Sequence, residues 1–322
     1  MTDSLKNSID KKIINNISDN TELNTNHNQL GYYLAGLIEG DGSIIVPYTI
    51  RNKNGKLLYP KIKITFVGKD APLANKLKNV LKNGTIESPK NKDYVNLLIQ
   101  DTKTLYVLTK LINGKMRTPK IEALHRLVDW FNNRSDFENL PKLNIDKSSL
   151  GSNAWLSGFL EADGNFYNGF TLNSDNIVDS VKSYMRVSQR KTYHKESNTN
   201  EYTDSYLFVM ETITDFLSVS NVREISRVKP NYTEQAYEVK TNKKESSQIL
   251  INYLEKFPLF SSKYLDFLVW VEIQALSKSE LTGKSNKSQI MKNSNLLIEL
   301  KNSMNSKRTK FNWDHLNNFY KY

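Results

Sequence analysis

Two copies of one short pattern constrain this chain more than any other feature. The first copy is Leu34-Ala35-Gly36-Leu37-Ile38-Glu39-Gly40-Asp41-Gly42, and the second is Leu156-Ser157-Gly158-Phe159-Leu160-Glu161-Ala162-Asp163-Gly164. Each copy begins with apolar residues, carries small residues at matching positions and ends in Glu-x-Asp-Gly. A pattern repeated at this distance predicts two similar halves joined in tandem.

The start of each copy has the periodicity of a buried helix. The first helix is predicted over residues 30–39, and Gly42 is predicted to stop it. Gly36 and Gly40 in one copy, and Gly158 and Ala162 in the other, are spaced i, i+4. A glycine inside a helix costs about 1 kcal/mol relative to alanine, so these residues suggest a packing role. Small residues at this spacing allow close approach of two helices, and we therefore predict that the two repeated helices pack on each other.

The acidic residues at the end of each copy need a chemical explanation. Acidic side chains at a helix C-terminus face the negative end of the helix dipole. If the helices pack side by side, Asp41 and Asp163 come together, and two close carboxylates repel each other. A divalent cation such as Mg²⁺, which prefers oxygen ligands, resolves this conflict and can activate water for phosphodiester hydrolysis. The alternative is that they are ordinary solvated acids in Asp-Gly turns.

Charge and composition limit the classes of partner that this chain is expected to bind. The chain has 45 Lys and Arg against 34 Asp and Glu, a net charge of +11, and its pI is about 9.4. This favours a nucleic-acid partner, although a merely basic soluble protein remains the alternative. There is no cysteine, and the four histidines are scattered, which argues against a zinc site. No apolar stretch approaches the ~20 residues of a membrane span, so no membrane partner is predicted.

The remaining periodicity divides the chain into five segments. They are an N-terminal arm (1–29), a first half (30–132), a linker (133–152), a second half (153–277) and a basic C-terminal extension (278–322). In the first half, strands are predicted over residues 43–50 and 56–67, with a turn at Asn54-Gly55. Thr118-Pro119-Lys120 is predicted to open the closing helix, with Thr118 as its N-cap. One amphipathic helix is predicted within the extension, over residues 290–304.

Both copies of the pattern resemble the motif of the LAGLIDADG homing endonucleases. The resemblance implies an α+β fold of two αββαββα halves, whose antiparallel four-stranded sheets form a saddle on DNA. It implies that Asp41 and Asp163 bind Mg²⁺ or another divalent cation such as Mn²⁺, with help from the carbonyls of Gly40 and Ala162. It also implies a basic residue near each cleaved phosphate, for which position points to Lys120 and Lys263. A water-ordering polar residue late in the second strand of each half corresponds to Gln189 and, more loosely, to Lys69.

A saddle that binds DNA requires a polar sheet face. Polar and apolar residues that alternate along a strand lie on opposite faces of the sheet, and this indicates which residues could face the DNA. Lys61, Lys63 and Thr65 share one strand face opposite Ile62, Ile64 and Phe66. Basic residues at the strand ends and turns suit phosphate contacts, whereas the alternative is simple exposure to solvent. The full set of predicted DNA-binding residues is Arg51, Lys53, Lys56, Lys61, Lys63, Thr65, Lys69, Lys182, Tyr184, Arg186, Arg190 and Lys191.

The resemblance implies a monomeric double-strand DNA endonuclease that leaves short 3′ overhangs and supports intron homing. An RNA maturase that helps its own intron to splice is the main alternative, alone or in addition, and intron RNA would then be a partner. A DNA-binding regulator without catalysis is a third reading, which the intact acids disfavour. The Asn, Lys, Ile and Tyr content is typical of an AT-rich genome and suggests synthesis in a mitochondrion.

Overall fold

Two antiparallel four-stranded sheets, each backed by helices, make up the described part of the chain. The computed structural model describes residues 28–194, 204–228, 230, 232–277 and 286–321. The helices are α1 (28–41), α2 (Ala71–Val80), α3 (Thr102–Ile112), α4 (Ile121–Asn132), α5 (Trp155–Asp163), α6 (Leu207–Phe216), α7 (Lys244–Lys256), α8 (Ser262–Ser277), α9 (Lys287–Lys292) and α10 (Ser294–Asn302). The strands are β1 (Gly42–Ile45), β2 (Lys61–Val67), β3 (Thr85–Glu87), β4 (Tyr94–Ile99), β5 (Gly164–Leu172), β6 (Val178–Arg190), β7 (Arg223–Val228) and β8 (Thr233–Lys240).

The two sheets have the same strand order. They run β1-β2-β4-β3 and β5-β6-β8-β7, and all pairings are antiparallel. In each half a motif helix leads directly into the sheet's first strand. The predicted α+β class with two pseudo-symmetric halves is therefore confirmed, whereas the exact boundaries at residues 132 and 153 stay predictions.

The two strands of the first hairpin are shorter than predicted. Strands were predicted over residues 43–50 and 56–67, but β1 ends at Ile45 and β2 begins at Lys61. Pro47 and Pro60, which have no N–H to donate, lie just outside these ends. The turn itself lies where it was predicted, since Gly55 has a φ of 73°.

The C-terminal extension also differs from its prediction. The single helix predicted over residues 290–304 is two helices, α9 and α10, separated at Asn293. Their inner side chains Ile290 and Leu297, together with Met304 beyond α10, are almost fully buried. The described part of the extension, residues 286–321, therefore belongs to the core of the protein. The predicted arm over residues 1–29, except for its last two residues, lies outside the described part of the chain.

Helices α1 and α5 are in backbone contact at their glycines. A Cβ on Gly36 would overlap the carbonyl oxygen of Trp155 and lie 2.7 Å from the Phe159 nitrogen. A Cβ on Gly158 would overlap the carbonyl of Tyr33 and lie 2.9 Å from the Leu37 nitrogen. The reciprocal contacts leave no space for a side chain at either position.

Helix α1 ends directly before Gly42, as predicted, and α5 ends in the same way before Gly164. Each glycine begins a strand without any intervening loop, and Gly164 has an ordinary φ of −72°. A Cβ there would lie 2.6 Å from the Leu160 oxygen, and one on Gly42 would lie 2.6 Å from the Ile38 Cα. The glycines are needed because the strand turns back closely over the last helical turn.

The helices that the structure describes are all too short or too polar to cross a membrane. Their apolar faces are directed instead at the two sheets and at each other, as in α1, where Leu34, Leu37 and Ile38 are at most 1% exposed.

We expect Gly158→Ala to lower the free energy of unfolding by about 2 kcal/mol or more, because overpacking costs 1–3 kcal/mol and the blocking atom is backbone. Urea unfolding followed by circular dichroism measures this loss. Gly151→Ala is the matched control, since its Cβ would meet only the edge of the Phe216 ring at 3.2 Å. Equal stability of the two variants would contradict the packing role of Gly158.

Candidate active site

Asp41 and Asp163 end the two motif helices and lie together across the helix contact. The proximity is shown by Gly40, where a Cβ would lie 3.1 Å from the Asp163 Oδ2 and overlap the side chain of Ala162. Burial, and next the neighbouring charge of Asp41, raise the pKa of Asp163 to about 6. Desolvation also raises the pKa of Asp41, against the opposing effect of nearby lysines. The close helix contact thus brings two carboxylates into mutual repulsion.

Lys120 reaches the end of the first motif helix. Its ammonium donates to the carbonyls of Ile38 (2.9 Å), Glu39 (2.7 Å), Gly40 (3.4 Å) and Gly42 (2.8 Å). A cation is favourable at this end of a helix, where carbonyls lack partners. Burial lowers the pKa of Lys120 to about 8, so the side chain remains a cation at neutral pH.

Lys263 makes the corresponding contact in the second half. It lies at the start of α8 and donates to the carbonyls of Leu160 (3.3 Å) and Ala162 (2.6 Å). Burial lowers its pKa, and Asp41 of the other half is the largest opposing influence. The two lysines therefore lie with both aspartates in one cluster at the boundary between the halves. They already contact the carbonyls of Gly40 and Ala162, the residues predicted to assist the metal.

The sequence did not reveal the role of the two motif glutamates. Glu39, 1% exposed, accepts hydrogen bonds from the main-chain N–H of Arg117 (2.9 Å) and Thr118 (2.6 Å), and from the Thr118 hydroxyl (2.6 Å). Glu161, 6% exposed, accepts from the N–H groups of Phe260 and Ser261. Each glutamate thus holds the turn that leads to its lysine helix.

These bonds correct the predicted start of the closing helix. Thr118 was predicted as the N-cap, and its hydroxyl does accept from the Lys120 N–H at 3.3 Å while it donates to Glu39, but α4 itself begins only at Ile121. The intervening turn is closed by short-range bonds such as Ile121 N–H to the Thr118 carbonyl. The only signal in the sequence was the glutamate repeated in both motif copies.

Each glutamate also receives a bond from the opposite half. The Trp155 Nε1 donates to Glu39 at 2.6 Å, and the Tyr33 hydroxyl donates to Glu161 at 3.1 Å. Trp155 and Tyr33 each stand one residue before the motif, so the two bonds are equivalent under the pseudo-twofold. The halves are thereby joined at both lysine turns.

Gln189 and Lys69 are placed differently. The Gln189 Nε2 donates to the Asp163 Oδ2 at 2.5 Å. Strand register pairs Gly164 with Val187 and Gly42 with Ile64, which makes Phe66 the counterpart of Gln189. The loose correspondence assigned to Lys69 is therefore wrong. Lys69 lies beyond the strand in a 3-10 turn, 3.5 Å from the carbonyl of Asn305 in the C-terminal extension.

The predicted polar strand faces are present. In β2 the residues Lys61, Lys63 and Thr65 are partly exposed, and Ile62, Ile64 and Phe66 are buried. Thr65 donates to Asn96 of β4 at 2.9 Å. The first hairpin tip, with Lys53 and Lys56, is exposed, and the Arg51 guanidinium is bonded there to the Gly55 carbonyl at 2.6 Å.

In the second half several predicted DNA contacts are engaged within the protein. Tyr184 is only 8% exposed, because it stacks on Tyr167 at 4.7 Å and the Lys240 ammonium lies 4.5 Å from its ring centre. Its role in DNA binding therefore stays a prediction, for a side chain that is largely covered by its neighbours. Arg186 lies 4.0 Å from Glu238. Of the other DNA-binding residues predicted in the second half, Lys182 is exposed and Arg190 lies over the ring of Tyr193. Lys191 pairs with Glu224 at 2.6 Å.

Comparison with known proteins agrees with this geometry. The family model of the LAGLIDADG endonuclease matches residues 34–131 and 156–274. The intron-encoded DNA endonuclease aI3 of Saccharomyces cerevisiae is 35% identical over 95% of this chain and 77% of its own. A cox1 intron-2 protein of Schizosaccharomyces pombe is 26% identical over 76% of this chain and 65% of its own.

Solved structures share the fold at low sequence identity. The I-SmaMI LAGLIDADG homing endonuclease, bound to cleaved DNA, has a TM-score of 0.58 at 17% identity, covering 87% of this chain and 98% of its own. I-GzeII, in complex with its DNA target, has a TM-score of 0.58 at 16% identity, covering 87% and 99%. The fold and the paired motif helices are thus those of the homing endonuclease class. Within that class, the chain belongs to the LAGLIDADG endonuclease family.

We expect Tyr33→Phe to lower the free energy of unfolding by about 1–3 kcal/mol, because the buried Glu161 loses a hydrogen bond. Tyr32→Phe is the matched control on the neighbouring residue, whose ring lies against Lys115 instead, and its effect should stay within about 0.5 kcal/mol. Denaturant unfolding of both variants measures the difference. Tyr33→Phe as stable as the control would exclude an energetic role for the cross-half bond.

Proposed function

We propose that this protein is a site-specific endonuclease that hydrolyses both strands of a double-stranded DNA target. The observation that carries the proposal is the pairing of Asp41 with Asp163 beside two buried ammonium groups, Lys120 and Lys263. Each half contributes one acid and one lysine in matching positions. Such a duplicated arrangement suits two reactions on the two antiparallel strands of a duplex.

The donor set at the centre fits a hard divalent cation. The two carboxylates are close enough for the charge of Asp41 to raise the pKa of Asp163, and the carbonyls of Gly40 and Ala162 belong to the residues directly before them. Among the residues that the structure describes, no three His, Cys, Asp or Glu side chains are grouped as metal ligands, which leaves coordination positions for water and phosphate oxygens. Mg²⁺ typically keeps several waters, and Mn²⁺ accepts the same ligands. When bound, such an ion would polarise the phosphodiester and lower the pKa of its water.

The chain's own residues would prepare this chemistry. The carboxylates of Asp41 and Asp163 would hold the ion, and the glutamate-anchored turns place Lys120 and Lys263 beside those carboxylates. The lysines supply positive charge where a cleaved phosphate gains negative charge. Gln189 orients Asp163 and can hold a water in the second half, whereas Phe66 offers no polar group at the equivalent place.

The two sheets provide the DNA surface. Lys61, Lys63, Thr65, Lys182 and Arg186 lie on the strand faces opposite the apolar cores, and one chain carries both halves of the surface. We therefore propose that the protein binds its duplex as a monomer, with phosphates and base edges contacted from the strands and hairpin tips. Short 3′ overhangs, implied by the family resemblance, belong to the same proposal.

The biological setting follows from the relatives. Two of them are named as intron-encoded or intron proteins of yeasts. We propose that this chain is likewise encoded in an intron, that it acts in intron homing, and that it is made in the mitochondrion. The RNA maturase alternative stays a prediction from sequence.

We expect Asp41→Asn and Asp163→Asn each to abolish double-strand cleavage, with a loss of about a thousandfold or more in rate, since metal catalysis is worth several kcal/mol. Duplexes labelled on either strand, incubated with Mg²⁺, measure the rate on each strand separately. Because the sites are paired, each variant should retain some nicking of one strand. Chelation of the metal should stop cleavage by the wild type.

Asp215→Asn, in the exposed face of α6, is the control and should cut as the wild type does. Unchanged double-strand cleavage by both Asp41→Asn and Asp163→Asn would contradict the proposed site.

We expect Lys63→Ala to weaken duplex binding uniformly across sequences and to reduce the slope of log affinity against log salt by about 1, as the loss of one phosphate contact does. Binding is measured without divalent metal over a salt series. Lys103→Ala, an exposed position of helix α3, should leave the slope unchanged. A common slope for both variants would remove Lys63 from the DNA surface.

A further inference from the structure

The two halves differ in the strand lengths of the hairpin that follows each motif helix. In the first half, β1 has four residues and β2 has seven, and residues 46–60 connect them. In the second half, β5 has nine residues and β6 has thirteen, and a tight turn closes them. Asn173 orders this turn, because its Oδ1 accepts from the N–H groups of Asp175 and Ile177. Regular strand pairing in the second hairpin thus continues to its turn, whereas in the first half the chain beyond β1 and β2 is joined by the bridge between Arg51 and Leu57 and its flanking hydrogen bonds.

Among the described residues, no third strand pairs with the outer part of this hairpin. Strand β8 pairs only with Arg186–Arg190 of β6, whereas β5 and β6 pair on to Leu172 and Val178. We call residues 168–172 and 178–183 the distal ribbon. A two-stranded ribbon is marginally stable alone in water, so its position depends on what packs beneath it.

The C-terminal segment, residues 286–321, packs beneath the distal ribbon. The Val178 N–H donates to the Ser294 hydroxyl at 2.8 Å, and the Lys287 ammonium lies 2.6 Å from Asp179. The Lys301 ammonium lies 4.8 Å from the centre of the Phe170 ring. Leu297 and Val178 are both fully buried. The ribbon is therefore fixed from its inner side by α9 and α10.

The same segment holds the inner end of the hairpin. Met304 accepts from the Asn168 amide at 3.2 Å, and the Asn305 amide donates to the Phe166 carbonyl at 3.2 Å. Asn305 is itself held by Asp266 of α8, which also pairs with Arg308 at 2.9 Å. The segment follows the hairpin from its turn to the active-site end.

The outer face of the distal ribbon points away from this support. Register places Lys182 opposite Gly169 and Ser180 opposite Thr171 on that face, next to the stacked pair Tyr167 and Tyr184. Lys182 is exposed, and the Thr171 and Ser180 hydroxyls are 2.6 Å apart. One face of the ribbon is thus buried on the C-terminal segment while the other remains available to a ligand.

We propose that the C-terminal segment is a specificity element: it sets the height and angle of the distal ribbon, and so determines which outer base pairs the second half of the protein discriminates. The proposal rests on the DNA-binding part of the proposed function and adds a role for a segment outside both motif-bearing halves. Ser294 and Lys287 contact the ribbon directly, and Leu297 is buried in the same apolar core as Val178, so all three act as positioning residues.

The test compares Leu297→Ala with Asn295→Ala, an exposed residue of the same helix. Each protein selects duplexes from a randomised pool by binding without divalent metal, which gives a preference at every base pair. Lys182→Ala and Lys61→Ala mark the positions read by the second and first halves. We expect Leu297→Ala to reduce discrimination about tenfold or more at the outer second-half positions, and Asn295→Ala to match the wild type.

Lys287→Ala, which removes only an exposed ion pair and should fold normally, is expected to produce a smaller loss at the same positions. Hydrogen exchange should show faster exchange of the ribbon in Leu297→Ala. The proposal would be overturned if Leu297→Ala and Lys287→Ala both kept the base preferences of the wild type. It would also be overturned if discrimination fell equally at the positions read by the first half and by the second half. Selective binding by a wild type that cuts no DNA would refute the nuclease function but leave this proposal standing.

Discussion

The backbone contact between α1 and α5 is the constraint on which the rest of the structure depends. Gly36 and Gly158 allow each helix to touch main-chain atoms of the other, so that the distance between the halves is set by backbone and not by adaptable side chains. This fixed distance brings Asp41 and Asp163 together. It also allows Trp155 and Tyr33 to reach the opposite glutamates. A glycine costs about 1 kcal/mol in a helix interior, and the apolar packing and cross-half bonds offset that cost.

The same contact brings the acidic side chains of the two motifs close together. The glutamate and the aspartate of each motif have different surroundings there. Glu39 and Glu161 are buried, but their carboxylates accept several hydrogen bonds each. A buried charge that is fully bonded holds its surroundings in place. Burial is the first cause that raises the pKa of all four acids, and Lys120 and Lys263 oppose this shift at both aspartates. The glutamates thus hold the turns, whereas the aspartates, two residues further along each motif, are the acids of the proposed metal site.

The repeated motif was enough to predict the helix contact and the acid pair, because both depend on local periodicity and small side chains, whereas the α+β fold class was predicted from the motif's resemblance to the LAGLIDADG family. The same approach failed where partners are distant in sequence. Glu39 was read as an acid at an unfavourable helix end, since nothing near it shows that the turn at Thr118 supplies its donors. Lys69 was aligned by residue type, whereas strand register assigns the position to Phe66. The buried side of the C-terminal segment was hidden by its many polar residues.

The pseudo-symmetry is strictest where the halves touch and weakest where they do not. Around α1 and α5, both glycines, both glutamates and both lysines have equivalent contacts, because a change on one side would disturb the backbone of the other. Away from this axis the constraint ends. In the first hairpin regular pairing ends at Ile45, and Tyr59 of its connection packs against Trp130 of the same half, whereas the second hairpin is paired up to its turn and rests on residues 286–321. The two halves thus share a rigid centre, but their outer surfaces can differ from each other. A protein with two different surfaces can recognise an asymmetric ligand.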